Sequence, residues 1–416
     1  MINTSNLPAT PSAAPNPSFW LLSVLGALVA FAPLSIDMYL AALPDIAREF
    51  ADTAGAAQYT LAAYFIGMAL GQSFYGPVAD RYGRKPPLYC GLVLYALASV
   101  GCALAPTIQS LLVCRFLQAL GGCAGMVIPL AIVRDLYGPQ ATARVMSRLM
   151  LVMGVAPILA PLVGAQLLGD WGWRAIFWAL AGCAAFALAA VRFGLAETLP
   201  TRPAQSISLR FVLDAYAGLL ADRRYLGFAL AGSFATAGMF AYIAGSSAVL
   251  IGLQGLSPQA YGWVFGANAF GLIAASQINH RLLRTRNPDG VLTGALTAMA
   301  MLGLVLALAA YCRPPQPISL VALLLPLFGF IAVLGFINPN TAAGAMADHG
   351  TRAGSAAALM GTLRFALATL VGAVVGLFDN GSAQAMGAVM AVCGVAALLA
   401  YRLLVVRGRV SATLPA

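Results

Sequence analysis

The chain is a succession of long apolar runs separated by short charged or Pro- and Gly-bearing breaks. About twelve of these runs reach the roughly 20 residues that a helix needs to cross the apolar core of a bilayer. The first extends from Trp20 to Pro44 and the second from about Ala56 to Val78, while the third ends near Ala105. The fourth covers about Ile108 to Val133, the fifth about Ala143 to Leu168 and the sixth about Trp173 to Leu195. The runs are long, unlike the short alternating segments of an outer-membrane barrel, which excludes that fold. The pattern predicts an all-α membrane protein with twelve transmembrane helices in two pseudo-symmetric six-helix bundles.

The stretch from Glu197 to Arg224 is the longest polar, Pro-containing segment and reads as a linker between the bundles. The expected organisation is a disordered cytoplasmic tail over 1–18, an N-terminal bundle over 19–196 and a cytoplasmic linker over 197–222. A C-terminal bundle over 223–406 and a cytoplasmic tail over 407–416 follow. Residues 1–18 contain no Lys or Arg, so they lack the basic start of a signal peptide. The halves look related: Asp80-Arg81-x-x-Arg84 recurs as His280-Arg281-x-x-Arg284, and Met153-Gly154 with Leu162 to Ala165 is echoed by Met360-Gly361 with Leu370 to Ala373. Internal duplication of this kind marks a transporter whose substrate site lies between its halves.

Polar residues inside the runs are the candidate chemistry. Asp37 interrupts the first, where an unpartnered carboxylate costs on the order of 3 kcal/mol even on the lenient insertion scale. Two readings are open: it sits wet near the outer end of its span, or it lines a water-filled path and titrates. Arg115, Gln118 and Gly122 share a face of the fourth span, and Arg115 either snorkels to the interface or is buried for function. Ala63, Gly67 and Gly71 form a close-packing stripe on the second span. In the fifth, Gly154, Pro157, Pro161 and Gly164 lie along one stripe and read either as an ordinary proline kink or as a closely packed kinked element. In the second half, Phe240, Tyr242, Asn268, Asn338, Asn340 and Arg364 are polar or aromatic candidates for substrate contact or for holding helices together. Arg364 replaces, in the second copy, Pro157 of the first, and needs an anionic or aqueous partner.

Composition agrees with the membrane reading, because 61% of the 416 residues are hydrophobic and only 9% charged. The net charge of +10 does not point to nucleic acid. Most of the 23 Lys and Arg residues fall in loops on one side: Arg81, Arg84, Lys85, Arg134, Arg144, Arg148, Arg192, Arg202, Arg210, Arg223, Arg224, Arg281, Arg284, Arg286, Arg352, Arg402, Arg407 and Arg409. Arg48, Arg174 and Arg313 fall on the other. The positive-inside rule makes the first side cytoplasmic and leaves both termini inside. The seven Cys (90, 102, 114, 123, 183, 312 and 393) fall singly and read as small packing residues. His280 and His349 both fall in loops, and no H-E-x-x-H, G-x-S-x-G or phosphate-binding Gly-rich loop is present, which argues against an enzyme and against ATP as energy source.

These residues carry a resemblance. Gly76-x-x-Ala79-Asp80-Arg81-x-Gly83-Arg84-Lys85 is similar to the signature between the second and third helices of the major facilitator superfamily. Arg115 to Gly122 resembles its fourth-helix signature, and Gly154 to Gly164 its antiporter signature. Ser35 to Leu40, Ile132 to Asp135 and Trp173-Arg174-x-Ile-Phe177 resemble the bicyclomycin and chloramphenicol resistance group of drug/proton antiporters. The chain departs from the pattern at Ala41, Ala165 and the Ser246-Ser247 pair. The resemblance implies a bacterial inner-membrane exporter of drug-like molecules with Asp37 and Arg115 in proton coupling. Tyr39, Gln118, Phe240, Tyr242, Asn268, Asn338 and Arg364 are the candidate substrate contacts from their placement inside the spans, and the resemblance gives Gly76, Asp80, Arg81, Gly83, Arg84 and Lys85 as a cytoplasmic gate. By the same resemblance Asp80 faces a helix N-terminus and latches one conformation. The expected partners are a small drug, protons and lipid, with no nucleic acid and no cofactor beyond the proton gradient, in a monomer. The alternative is a proton-coupled transporter of an amino acid, dipeptide or sugar.

Overall fold

The computed structural model describes residues 19–50, 56–137, 139–198, 209–311, 319–349, 353–378 and 383–406. The tails over 1–18 and 407–416, residues 199–208 of the linker, and Cys312, Arg202, Arg313, Arg352, Arg407 and Arg409 lie outside the described residues. Those described are helical, with no strand among them. The first half holds α1 (Phe19–Leu40), a short α2 (Leu43–Glu49), α3 (Ala56–Tyr82), α4 (Lys85–Ala103), α5 (Ile108–Leu136), α6 (Pro139–Trp171) and α7 (Trp173–Gly194). After α8 (Leu209–Ala221) come α9 (Arg223–Ser247), α10 (Pro258–Leu282), α11 (Pro288–Tyr311), α12 (Leu320–Met346), α13 (Ala353–Leu377) and α14 (Gln384–Ala400). π-helical turns over Ala248–Leu253 and Tyr401–Val406 extend α9 and α14.

Leaving aside α2 and α8, twelve long helices remain among the described residues, as the apolar pattern predicts. Ten are apolar enough to cross a membrane by length and composition. The other two, α3 and α10, occupy matching places in the two halves, and each packs on a helix of the opposite half, α3 on α13 and α10 on α6. Large apolar side chains such as Phe74, Leu97, Phe186, Trp263 and Leu325 stand exposed on the outside of the bundle, the arrangement lipid requires and water forbids.

Local chemistry sets the helix ends. Thr107 caps α5 and exchanges hydrogen bonds with Ser110 in a capping box. Asp222 caps α9 by accepting from the N–H groups of Arg224 and Tyr225, and Ser257 caps α10 ahead of Pro258. Gly83 (φ 92°) and Gly172 (φ 76°) turn the chain between α3 and α4 and between α6 and α7 in the left-handed region that other residues avoid.

Three boundaries differ from the sequence reading. The polar stretch after the first span contains the short helix α2, with Pro44 in its first turn. The second span does not end at Val78: α3 runs through Gly76 and Pro77 to Tyr82, so the turn itself is only Gly83 and Arg84. The linker contains α8, whose Tyr216 reaches the space between the halves.

Candidate functional site

The arginine-rich turn between α3 and α4 is the first element of the site. Arg84 is buried, donating from Nη1 to Asp80 at 2.5 Å and from Nε and Nη2 to Asp135 at 2.7 and 3.2 Å. The first free N–H groups of α4 bind a carboxylate, that of Glu197, which accepts from the backbone N–H of Arg84 at 2.9 Å and of Lys85 at 3.0 Å. A helix N-terminus favours such an anion by roughly 0.3–1 kcal/mol. Any Cβ on Gly83 would lie 2.8 Å from that carboxylate, a second reason for glycine there. Lys85 donates to the Leu195 carbonyl at 2.5 Å, and Arg81 lies over the ring of Tyr82. Asp80 therefore meets Arg84, and the acid seated on a helix end is Glu197. Glu197 looked in sequence like the first polar residue of a linker.

Inside the first half, Arg115 is fully buried, so it does not snorkel. It donates to Gln118 Oε1 at 2.6 Å, and Gln118 Nε2 donates to Ser99 at 2.8 Å. Its guanidinium lies 4.4 Å from the ring centre of Tyr64, 4.5 Å from Tyr39 and 5.7 Å from Phe177. Each such stacking is worth on the order of 0.5–2 kcal/mol. Nε and Nη2 of Arg115 have no hydrogen-bond partner. Tyr39, whose hydroxyl meets Thr60 at 2.6 Å, and Gln118 are thus walls of the arginine's cage.

Asp37 is 4% exposed and does not line the cavity between the halves, so in this state it is neither wet at the end of its span nor on an open water path. It makes no hydrogen bond or ion pair among the described residues. It lies within electrostatic reach of Tyr64 on α3, Tyr242 on α9 and Tyr261 on α10, and so faces both halves. Tyr64 is within reach of both the acid and Arg115, a role that a Tyr in an apolar span does not advertise. Against the next residue, Met38, the chain of α6 closes at Gly164, where a Cβ would collide with the Met38 carbonyl oxygen. Further along α6, Gly154 touches Ile273 of α10, and Pro157 and Pro161 sit within the continuous helix.

In the second half, Asn268 donates to the Tyr242 hydroxyl at 3.1 Å, and Tyr242 stacks on Phe265 with centroids 5.4 Å apart. Asn338 accepts from Thr236 at 3.1 Å, and Asn340 donates to Asn279 at 2.9 Å, so both tie helices together. Phe240 belongs to a ring cluster across the halves with Phe65 and Phe365, at 4.5 and 5.8 Å. Nearby, Ser73 of α3 and Thr362 of α13 share a hydrogen bond of 2.9 Å.

Toward the arginine-rich end the halves part around a cavity of about 620 Å³. Its walls include Gln72, Gly76 and Asp80 of α3, Met126 of α5, Met346 of α12 and Gly361 of α13, and Arg364 lies one residue before Phe365 of the ring cluster. The ring cluster therefore lies next to Arg364 along α13 but outside the cavity's lining. Of the expected substrate residues only Arg364 lines this cavity. Tyr39 and Gln118 lie within the first half, and Phe240, Tyr242, Asn268 and Asn338 lie outside the lining.

Residues 25–373 match the family described as Major Facilitator Superfamily. The chain is 35% identical over 384 residues to an uncharacterized MFS-type transporter, YdgK, of Bacillus subtilis strain 168, covering 92% of this chain and 94% of that protein. It is 30% identical over 390 residues to the bicyclomycin resistance protein homolog of Haemophilus influenzae, covering 94% and 97% respectively. Among solved structures, a mutant peptide transporter in complex with alafosfalin superposes with a TM-score of 0.74 at 16% identity, covering 95% of this chain and 96% of that one. That likeness is one of fold.

Proposed function

The chain belongs to the major facilitator superfamily, as a transporter and not an enzyme, and from that premise we propose that it exports small drug-like molecules in exchange for protons. The observation that carries this reading is Asp37: an acid in the first span, 4% exposed, without a bonded partner, and facing tyrosines of both halves. An ion so placed costs several kcal/mol, so whether it holds a proton follows which side of the membrane reaches it. Drug and proton then use the site in turn as the halves rock about it. Similarity to a bicyclomycin resistance protein homolog supports a drug as cargo.

In this reading the arginine-rich end is cytoplasmic in a bacterial inner membrane, with both termini on that side, and the cavity is the inward-facing entrance. The Phe65, Phe240 and Phe365 rings close the outward path. Arg115, held by Tyr39, Tyr64 and Gln118, sets the field at Asp37. The Asp80–Arg84–Asp135 cluster with Glu197 makes the gate, while Gly154, Pro157, Pro161 and Gly164 fit α6 against α1 and α10. Tyr242 and Asn268 meet the drug on its outward passage. The protein works as a monomer with the proton gradient as its energy source: each pH unit supplies about 1.4 kcal/mol, and 100 mV adds about 2.3 kcal/mol per charge moved.

Inverted membrane vesicles carrying the protein, acid inside and loaded with a pH-sensitive dye, test this directly. Adding a panel of neutral and acidic drug-like molecules outside is expected to alkalinise the lumen with at least one of them, and Asp37→Asn to abolish the signal. A full signal from Asp37→Asn, or responses confined to amino acids or sugars, would overturn the reading.

A further inference from the structure

The charges on the cavity wall do not cancel. Five ionisable side chains other than tyrosine line it: Asp80, Arg84, Arg134, Asp135 and Arg364. Both acids are committed to Arg84. Arg134 is exposed and donates weakly to its own helix, at the Leu130 carbonyl. Arg364 makes no hydrogen bond, ion pair or ring contact among the described residues, and its Nε is sealed from solvent with no partner. It also lies deep. Gly354, Ala357, Ala358 and Gly361 line the cavity on the same face of α13, and the ten residues from Gly354 to Arg364 place it about 15 Å along the helix from there, at roughly 1.5 Å per residue.

We infer that the molecule this cavity takes carries an acidic group, a carboxylate or a comparable oxyanion, which Arg364 binds at the cavity's deep end. The inference rests on the reading of this cavity as the substrate's path and names the class of substrate. A guanidinium offers two parallel N–H donors in a fixed fork, the geometry that matches an oxyanion. A positive ion in an apolar span is retained where an anion or water meets it. One turn before Arg364, the Gln72 side chain of α3 lies against Gly361, while Met126, Met346 and Met360 give the walls an apolar surface that adapts to the rest of the molecule. Arg134, nearer the mouth, adds to a field that draws an anion inward. Export of an anion against entry of a proton moves two charges in one direction per turnover, so the membrane potential drives such cargo harder than a neutral drug.

Full-length protein in phosphatidylcholine nanodiscs, titrated with 2-naphthoate, 2-naphthamide and 2-naphthylmethylammonium and followed by naphthalene fluorescence, tests the assignment without any proton gradient. Failure of the export reading therefore leaves this test standing. The wild type is expected to bind 2-naphthoate at least 10-fold tighter than the amide and to bind the ammonium weakest. Arg364→Met is expected to reduce the acid-to-amide ratio to 2-fold or less, and Arg364→Lys to retain part of it. Equal binding of acid and amide, no binding of any of the three, or an acid preference that survives in Arg364→Met would overturn the inference. Loss of 2-naphthoate binding when phosphatidylglycerol replaces part of the lipid would identify the bound anion as a headgroup and overturn it as well.

Discussion

Gly164 of α6 sits directly on the backbone of Met38, the residue after Asp37. A Cβ there would strike the Met38 carbonyl oxygen and lie 2.7 Å from its Cα and 2.8 Å from its carbonyl carbon. Backbone cannot swing aside as a side chain can, so one methyl group at position 164 must displace α1 where it carries the acid.

Gly164→Ala is therefore expected to lower proton-coupled export at least 10-fold while the protein still folds, with a stability cost of about 1–3 kcal/mol from overpacking. Gly182→Ala on α7, where a Cβ meets nothing within 4 Å, is the control and should be neutral or slightly stabilising. Export rates in proteoliposomes and thermal unfolding of both variants decide it; equal effects of the two substitutions would contradict the argument.

Arg115 is kept at a cost. Two of its nitrogens are buried without partners, and each such orphaned group costs about 1–3 kcal/mol, which offsets what its stacking and its bond to Gln118 contribute. Arg115→Met should thus unfold at the same temperature or higher, yet lose export. Arg115→Lys keeps the charge but not the flat face that stacks on Tyr39 and Tyr64, and should retain only part of the activity. A marked fall in the unfolding temperature of Arg115→Met would show the cage to be a stabilising device.

How far the chain explains itself in advance depends on whether a residue contrasts with its surroundings. Asp37 and Arg115 stand out because each is an ion in an apolar run, and Gly83 because its turn needs a glycine. Tyr64 and Phe65 do not, since an aromatic residue in a buried span fits an ordinary core, and only the fold shows Tyr64 against Arg115 and Phe65 across the halves. Glu197 is hidden by distance: it is 113 residues from Arg84, and a carboxylate just after a span looks like the start of a loop. The helices α2 and α8 were hidden for a different reason: α2 has the mixed composition of a loop, and α8 is mostly apolar but, at 13 residues, too short to cross a bilayer. Trp173 and Arg174 stood out only by resemblance; the structure gives them a physical role in holding Glu49.

The two acids on Arg84 are not equivalent. Asp135 takes two of its N–H groups and its side chain is 19% exposed, whereas Asp80 takes one and is 44% exposed. Asp135→Asn is expected to cost about 1–3 kcal/mol, and Asp80→Asn less than about 1 kcal/mol. Raising salt from 0.1 to 1 M should erase most of the Asp80→Asn effect and spare most of that of Asp135→Asn, because the less exposed pair is less screened. Thermal unfolding at the two salt concentrations measures both; a larger effect of Asp80→Asn would reverse the assignment.

At the opposite end, Glu49 ties α2 to the start of α7. It accepts from the Trp173 indole N–H at 2.7 Å and pairs with Arg174 at 2.7 Å. The Trp173 bond, opposed by slight burial and reinforced by Arg174, holds the Glu49 carboxyl below its ordinary range. A carboxylate whose folded pKa is depressed adds stability that is fully present above the unfolded value, about 4.3, and lost as pH falls through the folded one. Being partly exposed, the pair contributes less than about 1 kcal/mol. The unfolding temperature of Glu49→Gln should therefore lie below that of the wild type by a constant margin from pH 8 to about pH 5, and the two should converge as the pH falls below about 4. A margin that widened on acidification would require a raised pKa and contradict the contacts to Trp173 and Arg174.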